Sequence, residues 1–302
     1  QPMSLWISIS VAAAVFQTLR FMLQKVMAKQ TLSAAGATFA RFLYSAPIIV
    51  LLTMLYLKQT GQPWPDLSRQ FWIYTATGGL AQVLATVCVV LVFKNRNFAV
   101  GITFKKTEVI LAVLVGIVVL GDQVSWQGLG AIVLGLIGVL LLSSPAQIGA
   151  WNWRMMFNRA AGLGILSGAL FAVSAVTYRG ASLQLDMADY WGRAGVTLAM
   201  VTSMQLTGMT IYLFLRERGE ISAVWQARRV AGWIGILSMV GSFCWFTAFT
   251  LQNAAYVKAV GQIELIFSLL VTVLFFKEKI TLREWIGVAV LGMSVLGMVV
   301  LA

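Results

Sequence analysis

Apolar runs of about 20 residues recur along the whole chain, near 4–24, 32–57, 70–93, 98–120, 124–142, 160–179, 188–214, 230–252, 255–276 and 281–301. A helix of that length crosses a bilayer core about 30 Å thick. A porin-like strand would alternate apolar and polar residues with a period of two. The stretch Val109 to Leu120 reads VILAVLVGIVVL, with no alternation. The spacing therefore predicts helices. With 60% hydrophobic and 11% charged residues, a soluble fold of this length could not hide its apolar surface, since globular domains run near 25% charged. The expected fold is all-α, a polytopic membrane protein with ten transmembrane helices.

Two acids give the chain its internal order. Glu108 and Glu264 stand 156 residues apart in matching apolar stretches, and each is followed 14 residues later by Asp122 or Glu278. The same offset aligns Cys88 with Cys244, Phe93 with Phe249 and Asn97 with Asn253, and gives 8 identities in the 33 positions of 88–120 and 244–276. About three would be expected for so apolar a composition. The segment Ser143 to Asn158, with Pro145, Trp151 and Trp153, is the longest polar-flavoured break. Proline stops a helix and tryptophan suits a headgroup interface. The expected division is 1–142 and 160–302 as five-span repeats, joined by a linker at 143–159. An odd number of spans puts the second repeat in the membrane inverted, as in secondary transporters, whose substrate site lies near the midplane between repeats.

The net charge of +12 does not point to nucleic acid, because basic residues are scattered singly between spans. Loops after odd-numbered spans hold thirteen, among them Lys25, Lys94, Arg154, Arg216 and Lys277, against Lys58, Arg69 and Arg179 after even-numbered ones. By the positive-inside rule both termini lie outside the cytoplasm. The first run lacks a basic start and a small-residue cleavage site, so it reads as a retained span. Cys88 and Cys244 fall in apolar stretches and read as small buried hydrophobes. Pro47, alone among prolines, falls within a span and predicts a local bend. Gly164–Gly168 and Gly130, Gly135 and Gly138 read as helix-packing positions.

Polar residues at helical spacing mark the candidate site. Ser238, Ser242, Trp245, Phe249 and Gln252 follow one face of the eighth span. The repeat offset carries that face onto Gln82, Thr86, Val89, Phe93 and Arg96 of the third. The sixth span offers Ser167, Phe171, Ser174 and Tyr178, and the first Gln17, Arg20 and Gln24. Polar groups facing lipid would be unsatisfied, so these stripes should face the bundle interior. Interhelical hydrogen bonding without a ligand would produce any one stripe; two stripes related by the repeat favour a cavity. Lys105, Lys106 and Glu108 lie in the fourth span, and Lys258, Gln262 and Glu264 in the ninth. Lys105 and Glu108 are i,i+3 neighbours that could neutralise one another, as an internal pair or a substrate contact. Lys258 lies six residues from Glu264 on another face, which makes Glu264 the better candidate for a titrating, coupling group, with Lys105, Glu108 and Gln262 as the other intramembrane charge or coupling positions. Asp122 and Glu278 read as interfacial. With no histidine, and no GxSxG, P-loop or HExxH motif, catalysis, a metal and a cofactor find no support.

These residues resemble the EamA transporters of the drug/metabolite transporter superfamily. Arg41-Phe42 looks like the "RF" of their second span, and Glu108…Gly121-Asp122 and Glu264…Glu278 look like their doubled "EP…gE" signature. The resemblance covers nearly the whole chain. Val109 and Leu265 stand where the family has proline, Gly121 is matched by Lys277, and Arg193 is followed by Ala194, so a proline-imposed bend after each glutamate is not expected. The resemblance implies a bacterial inner-membrane transporter of a small metabolite, with amino-acid exporters of the YddG type the nearest group. Amino acids, apolar or aromatic ones above all, are the favoured cargo, exported by alternating access. Gln17, Gln82 and Ser242 would bind the polar backbone while Phe171, Trp245 and Phe249 would contact the side chain, with Thr86, Ser174 and Tyr178 beside them. Sugar or nucleotide derivatives are the alternative cargo, and a non-transport scaffold a further class. The expected partners are the solute and the bilayer, with no nucleic acid, in a monomer or homodimer.

Overall fold

The computed structural model describes residues 5–30, 32–94, 105–143, 159–267, 269–270 and 281–301. The linker with Trp151 and Trp153, the stretch with Arg96 and Asn97, the segment with Glu278, and the side chain of Phe93 lie outside the described residues. Within them the chain is helical, without a strand. In order the helices are α1 (Leu5–Gln30), α2 (Ala34–Thr60), α3 (Arg69–Lys94), α4 (Glu108–Leu120), α5 (Trp126–Ser143), α6 (Arg159–Leu183), α7 (Tyr190–Arg216), α8 (Glu220–Gln226), α9 (Arg228–Leu251), α10 (Ala254–Gly261) and α11 (Leu282–Leu301). Six of them are long and apolar enough to cross a membrane (α1, α2, α3, α6, α7 and α9), and α4 and α5 are shorter apolar helices.

The polarity is that of a protein dissolved in lipid. Val118 and Phe214 are 83% and 71% exposed, whereas Arg41, Thr86, Lys106 and Glu108 are buried. A backbone in hydrocarbon must satisfy its own hydrogen bonds, which selects helices. The polar side chains then turn inward, where they find one another.

The helices pack as two exchangeable sets. α1 lies on α9, and α6 lies on α3; α2 meets α7 and α5 meets α11; α4 packs on α6, and α10 on α1. Moving along the chain by about one repeat turns the first contact of each unlike pair into the second and leaves α2–α7 and α5–α11 unchanged. This is the contact pattern of two units related by a two-fold axis. The ends of the α2–α7 pair match as well. Asp189 caps α7, accepting from Gly192 N at 2.8 Å, and accepts from Tyr56 Oη at 2.6 Å. Ser33 caps α2, accepting from Gly36 N at 2.9 Å, and its hydroxyl donates to Glu217 at 2.5 Å.

The spans expected at 98–120 and 255–276 are not continuous. A turn at 106–107 precedes α4, and another at 262–263 separates α10 from the helical residues 264–267. The two interruptions are 156 residues apart, and a glutamate opens the helix beyond each, where a carboxylate suits the positive end of the helix dipole. They form without the family's prolines. Gly168 of α6 explains part of the first, since a Cβ there would lie 2.8 Å from Lys105 O and 3.3 Å from Glu108 N. The helix thus presses directly on the broken backbone. Gly135 and Gly138 face α11, whereas Gly130 meets nothing within 4 Å. α2 runs through Pro47 without interruption. Both cysteines are free thiols, Cys88 buried and Cys244 half-buried.

Candidate functional site

The four stripes converge. Gln17 and Arg20 of α1, Gln82 of α3, Phe171, Ser174 and Tyr178 of α6, and Ser242, Trp245 and Phe249 of α9 line one narrow internal cavity, joined by Arg41 of α2 and Lys258 of α10. Its volume is about 20 Å³, room for a single water. Both repeats contribute to its wall, and Lys258 brings it to the edge of the second helix break.

Arg41 crosses the centre of this site. Its Nε donates to Ser238 Oγ at 2.7 Å, Nη2 to Ser242 Oγ at 3.0 Å and Nη1 to Thr86 Oγ1 at 3.4 Å. Thr86 is thus placed behind the cavity wall, as a support for the guanidinium. On the other side Tyr178 Oη lies 3.0 Å from Gly78 O and from Gln82 Oε1, and Gln205 Nε2 of α7 donates to Gln82 Oε1 at 2.9 Å. Gln82 is therefore already held by protein groups. Ser167 and Gln24 turn away from the cavity, donating to Gly164 O at 2.8 Å and Ala37 O at 3.3 Å.

Trp245 has its indole partner on the facing helix: Nε1 donates to Gln17 Oε1 at 3.1 Å. Its ring stacks on Phe249 with centroids 5.7 Å apart and carries Lys258 Nζ over its face at 4.7 Å. A Cβ on Gly261 would meet the indole at 2.2 Å, so the glycine just before the second break makes room for the ring. Gln252, expected on the same stripe, lies past the end of α9. Its side chain accepts from Asn253 N at 2.8 Å and its carbonyl from Arg179 at 2.9 Å.

Beside the cavity the two breaks exchange charges across the repeats. Lys106 pairs with Glu264, which also accepts from Gln17 Nε2 at 2.6 Å. Glu108 lies 3.6 Å from Lys105, as its i,i+3 spacing predicts, 3.9 Å from Lys258, and accepts from Gln262 Nε2 at 3.4 Å. Glu264 is accordingly not the isolated carboxylate that its sequence neighbours suggest. Its cation comes from the other repeat, 158 residues away, and Lys258 serves Glu108 instead. Asp122 pairs with Arg179 at 3.6 Å.

No group of three or more His, Cys, Asp or Glu side chains that could hold a metal ion occurs among the described residues. The profile of the EamA-like transporter family matches residues 4–144 and, a second time, 158–300. The chain belongs to the EamA-like transporter family. It is therefore a multi-pass membrane transporter of small molecules, built from two copies of one family unit. Among 28 matching solved chains, one crystal structure 13% identical to this EamA-like chain superposes with a TM-score of 0.70, over 99% of this chain and 98% of the other. That likeness shows the fold. No curated protein matches the sequence.

Three residues of the EamA-like site were not picked out as cavity residues by sequence reasoning. Arg41 entered only as half of a family motif, Lys258 only as a distant neighbour of Glu264, and Gln205 not at all. Each is a polar group inside an apolar run, and such a group is functional or paired more often than not. A second, larger pocket of about 460 Å³ lies between α2, α7 and α9, lined by Ile49, Leu52, Thr53, Tyr56, Trp191 and Phe243 among others. Two hydroxyls are its main polar features, so it offers a polar solute little to bind.

Proposed function

We propose that this chain is a secondary transporter that exports a small amphipathic metabolite across the bacterial inner membrane by alternating access between two inverted five-span repeats. Metabolites that join a carboxylate to an apolar or aromatic body suit the site best, amino acids of that kind and their close relatives among them. One observation carries the reading: guanidinium, amide, hydroxyl and aromatic groups from both repeats converge on one cavity beside two helix breaks. Discontinuous helices at a repeat interface are the common setting of transporter sites. Arg41 and Ser242 suit a carboxylate, and the faces of Phe171, Trp245 and Phe249 suit the body. The cavity is too small for such a solute as it stands, so the helices must part to admit it, which rocking of one repeat against the other provides. Both termini on the non-cytoplasmic side remain part of this proposal.

Radiolabelled phenylalanine counterflow in proteoliposomes tests it, with and without a pH gradient. The expected result is saturable uptake above protein-free vesicles that ignores the gradient, because Glu264 is engaged by Lys106 and Gln17. Absence of uptake would count against amino-acid cargo. Gradient-driven uptake that vanishes in Glu264→Gln would return Glu264 to a coupling role.

A further inference from the structure

The interior carries more positive charge than its own acids can meet. Arg20, Arg41, Lys105, Lys106 and Lys258 are buried, each with 7% or less of its surface exposed, against two buried carboxylates, Glu108 and Glu264, among the described residues. The residues that line the cavity include Arg20, Arg41 and Lys258 and no carboxylate; Lys258 has Glu108 behind it at 3.9 Å. Burying charge without a counter-charge is costly. A guanidinium cannot shed its proton to escape that cost.

Arg41 shows the imbalance most plainly. Its three hydrogen-bond partners are hydroxyls, Ser238, Ser242 and Thr86, which accept hydrogen bonds but cancel no charge. Lys258 is set among the faces of Trp245 and Phe171, 4.7 and 5.5 Å from their centroids. Ring quadrupoles attract a cation and leave it a cation. The two carboxylates are already committed, Glu264 to Lys106 and Glu108 to Lys105 and Lys258.

We infer that the preferred cargo is an organic acid of net negative charge with an aromatic or apolar body, held by Arg41 and Lys258 at its acid end and by Trp245 and Phe249 along its body. The inference rests on the transporter reading and narrows its cargo. A zwitterionic amino acid adds as much positive charge as negative, so it leaves the excess where it was. Its ammonium also finds no uncommitted carboxylate in the wall. The corresponding 2-hydroxy or N-acylated acid brings the carboxylate alone.

The test is equilibrium binding of radiolabelled phenyllactate to the purified full-length protein, with phenylalanine, phenethylamine and inorganic phosphate as competitors. Unlabelled phenyllactate should displace the label at about tenfold lower concentration than phenylalanine, and phenethylamine and phosphate should displace it hardly at all. Arg41→Gln should erase the preference for the acid; Lys258→Gln provides the same reading if that variant fails to fold. Displacement by phenylalanine or phenethylamine as effective as by phenyllactate, or no binding of phenyllactate, would overturn the inference. Equal displacement by phosphate would overturn it too, by removing the role of the rings. Flux of phenylalanine without binding of phenyllactate would sink the charge assignment and leave the transporter reading intact. Tight phenyllactate binding without flux of either compound would do the reverse.

Discussion

Glu108→Gln should lower the stability of the purified protein by about 3–5 kcal/mol, the range for stripping one partner from a buried ion pair. The carboxylate is 2% exposed and lies between Lys105, Lys258 and Gln262, at 3.6, 3.9 and 3.4 Å. Removing its charge leaves two ammonium groups facing each other in a site that water does not reach. It also loosens the start of α4, where the carboxylate meets the helix dipole. Thermal unfolding in detergent measures the loss, and a cycle separates its causes. Adding Lys258→Gln removes a surplus cation, so the double variant should recover part of the loss rather than add to it. A single variant as stable as the wild type would show that the crossed pairs between the breaks do not hold the repeats together.

Trp245→Ala should discriminate between solutes. The ring stacks on Phe249, receives Lys258 over its face and donates to Gln17, so it forms cavity wall and not only packing. Apparent affinity for aromatic solutes should fall by about 1–3 kcal/mol relative to small apolar ones, the amount a lost pocket contact is worth. Half-saturation concentrations in proteoliposome flux give that ratio. If the ring is core alone, the substitution should cost about 3–5 kcal/mol of stability and depress every solute alike. A uniform loss with poor folding would remove Trp245 from the site.

The helices, the doubling and most of the cavity wall were legible in the sequence because each is written in local spacing. Stripes at +3 and +4 on four spans named Gln17, Gln82, Phe171, Ser174, Tyr178, Ser242, Trp245 and Phe249, and the structure brings all eight to one cavity. The breaks were not legible. No proline marks them, and they coincide with a hydrogen bond and an ion pair whose partners lie 154 and 158 residues apart, Gln262 with Glu108 and Lys106 with Glu264. The cation that meets Glu264 was hidden for the same reason: a neighbour search along one helix cannot see Lys106, supplied by the other repeat. Arg41 was hidden by its surroundings, since a lone arginine in an apolar span shows its partners only once α3 and α9 are packed against it. Gln252 followed the stripe in sequence but lies beyond Leu251, where α9 stops.

The central claim is that solute passes between two repeats that rock about a shared cavity, and a reversible lock tests it most directly. α2 and α7, one from each repeat, approach so closely that a Cβ on Gly195 would lie 3.8 Å from Thr53 Cβ, the usual span of a disulfide. In a background with Cys88 and Cys244 replaced, Thr53→Cys with Gly195→Cys should form that bond on mild oxidation. Counterflow in proteoliposomes should then stop, and return when a reductant is added. Undiminished flux through fully cross-linked protein would contradict alternating access between the repeats.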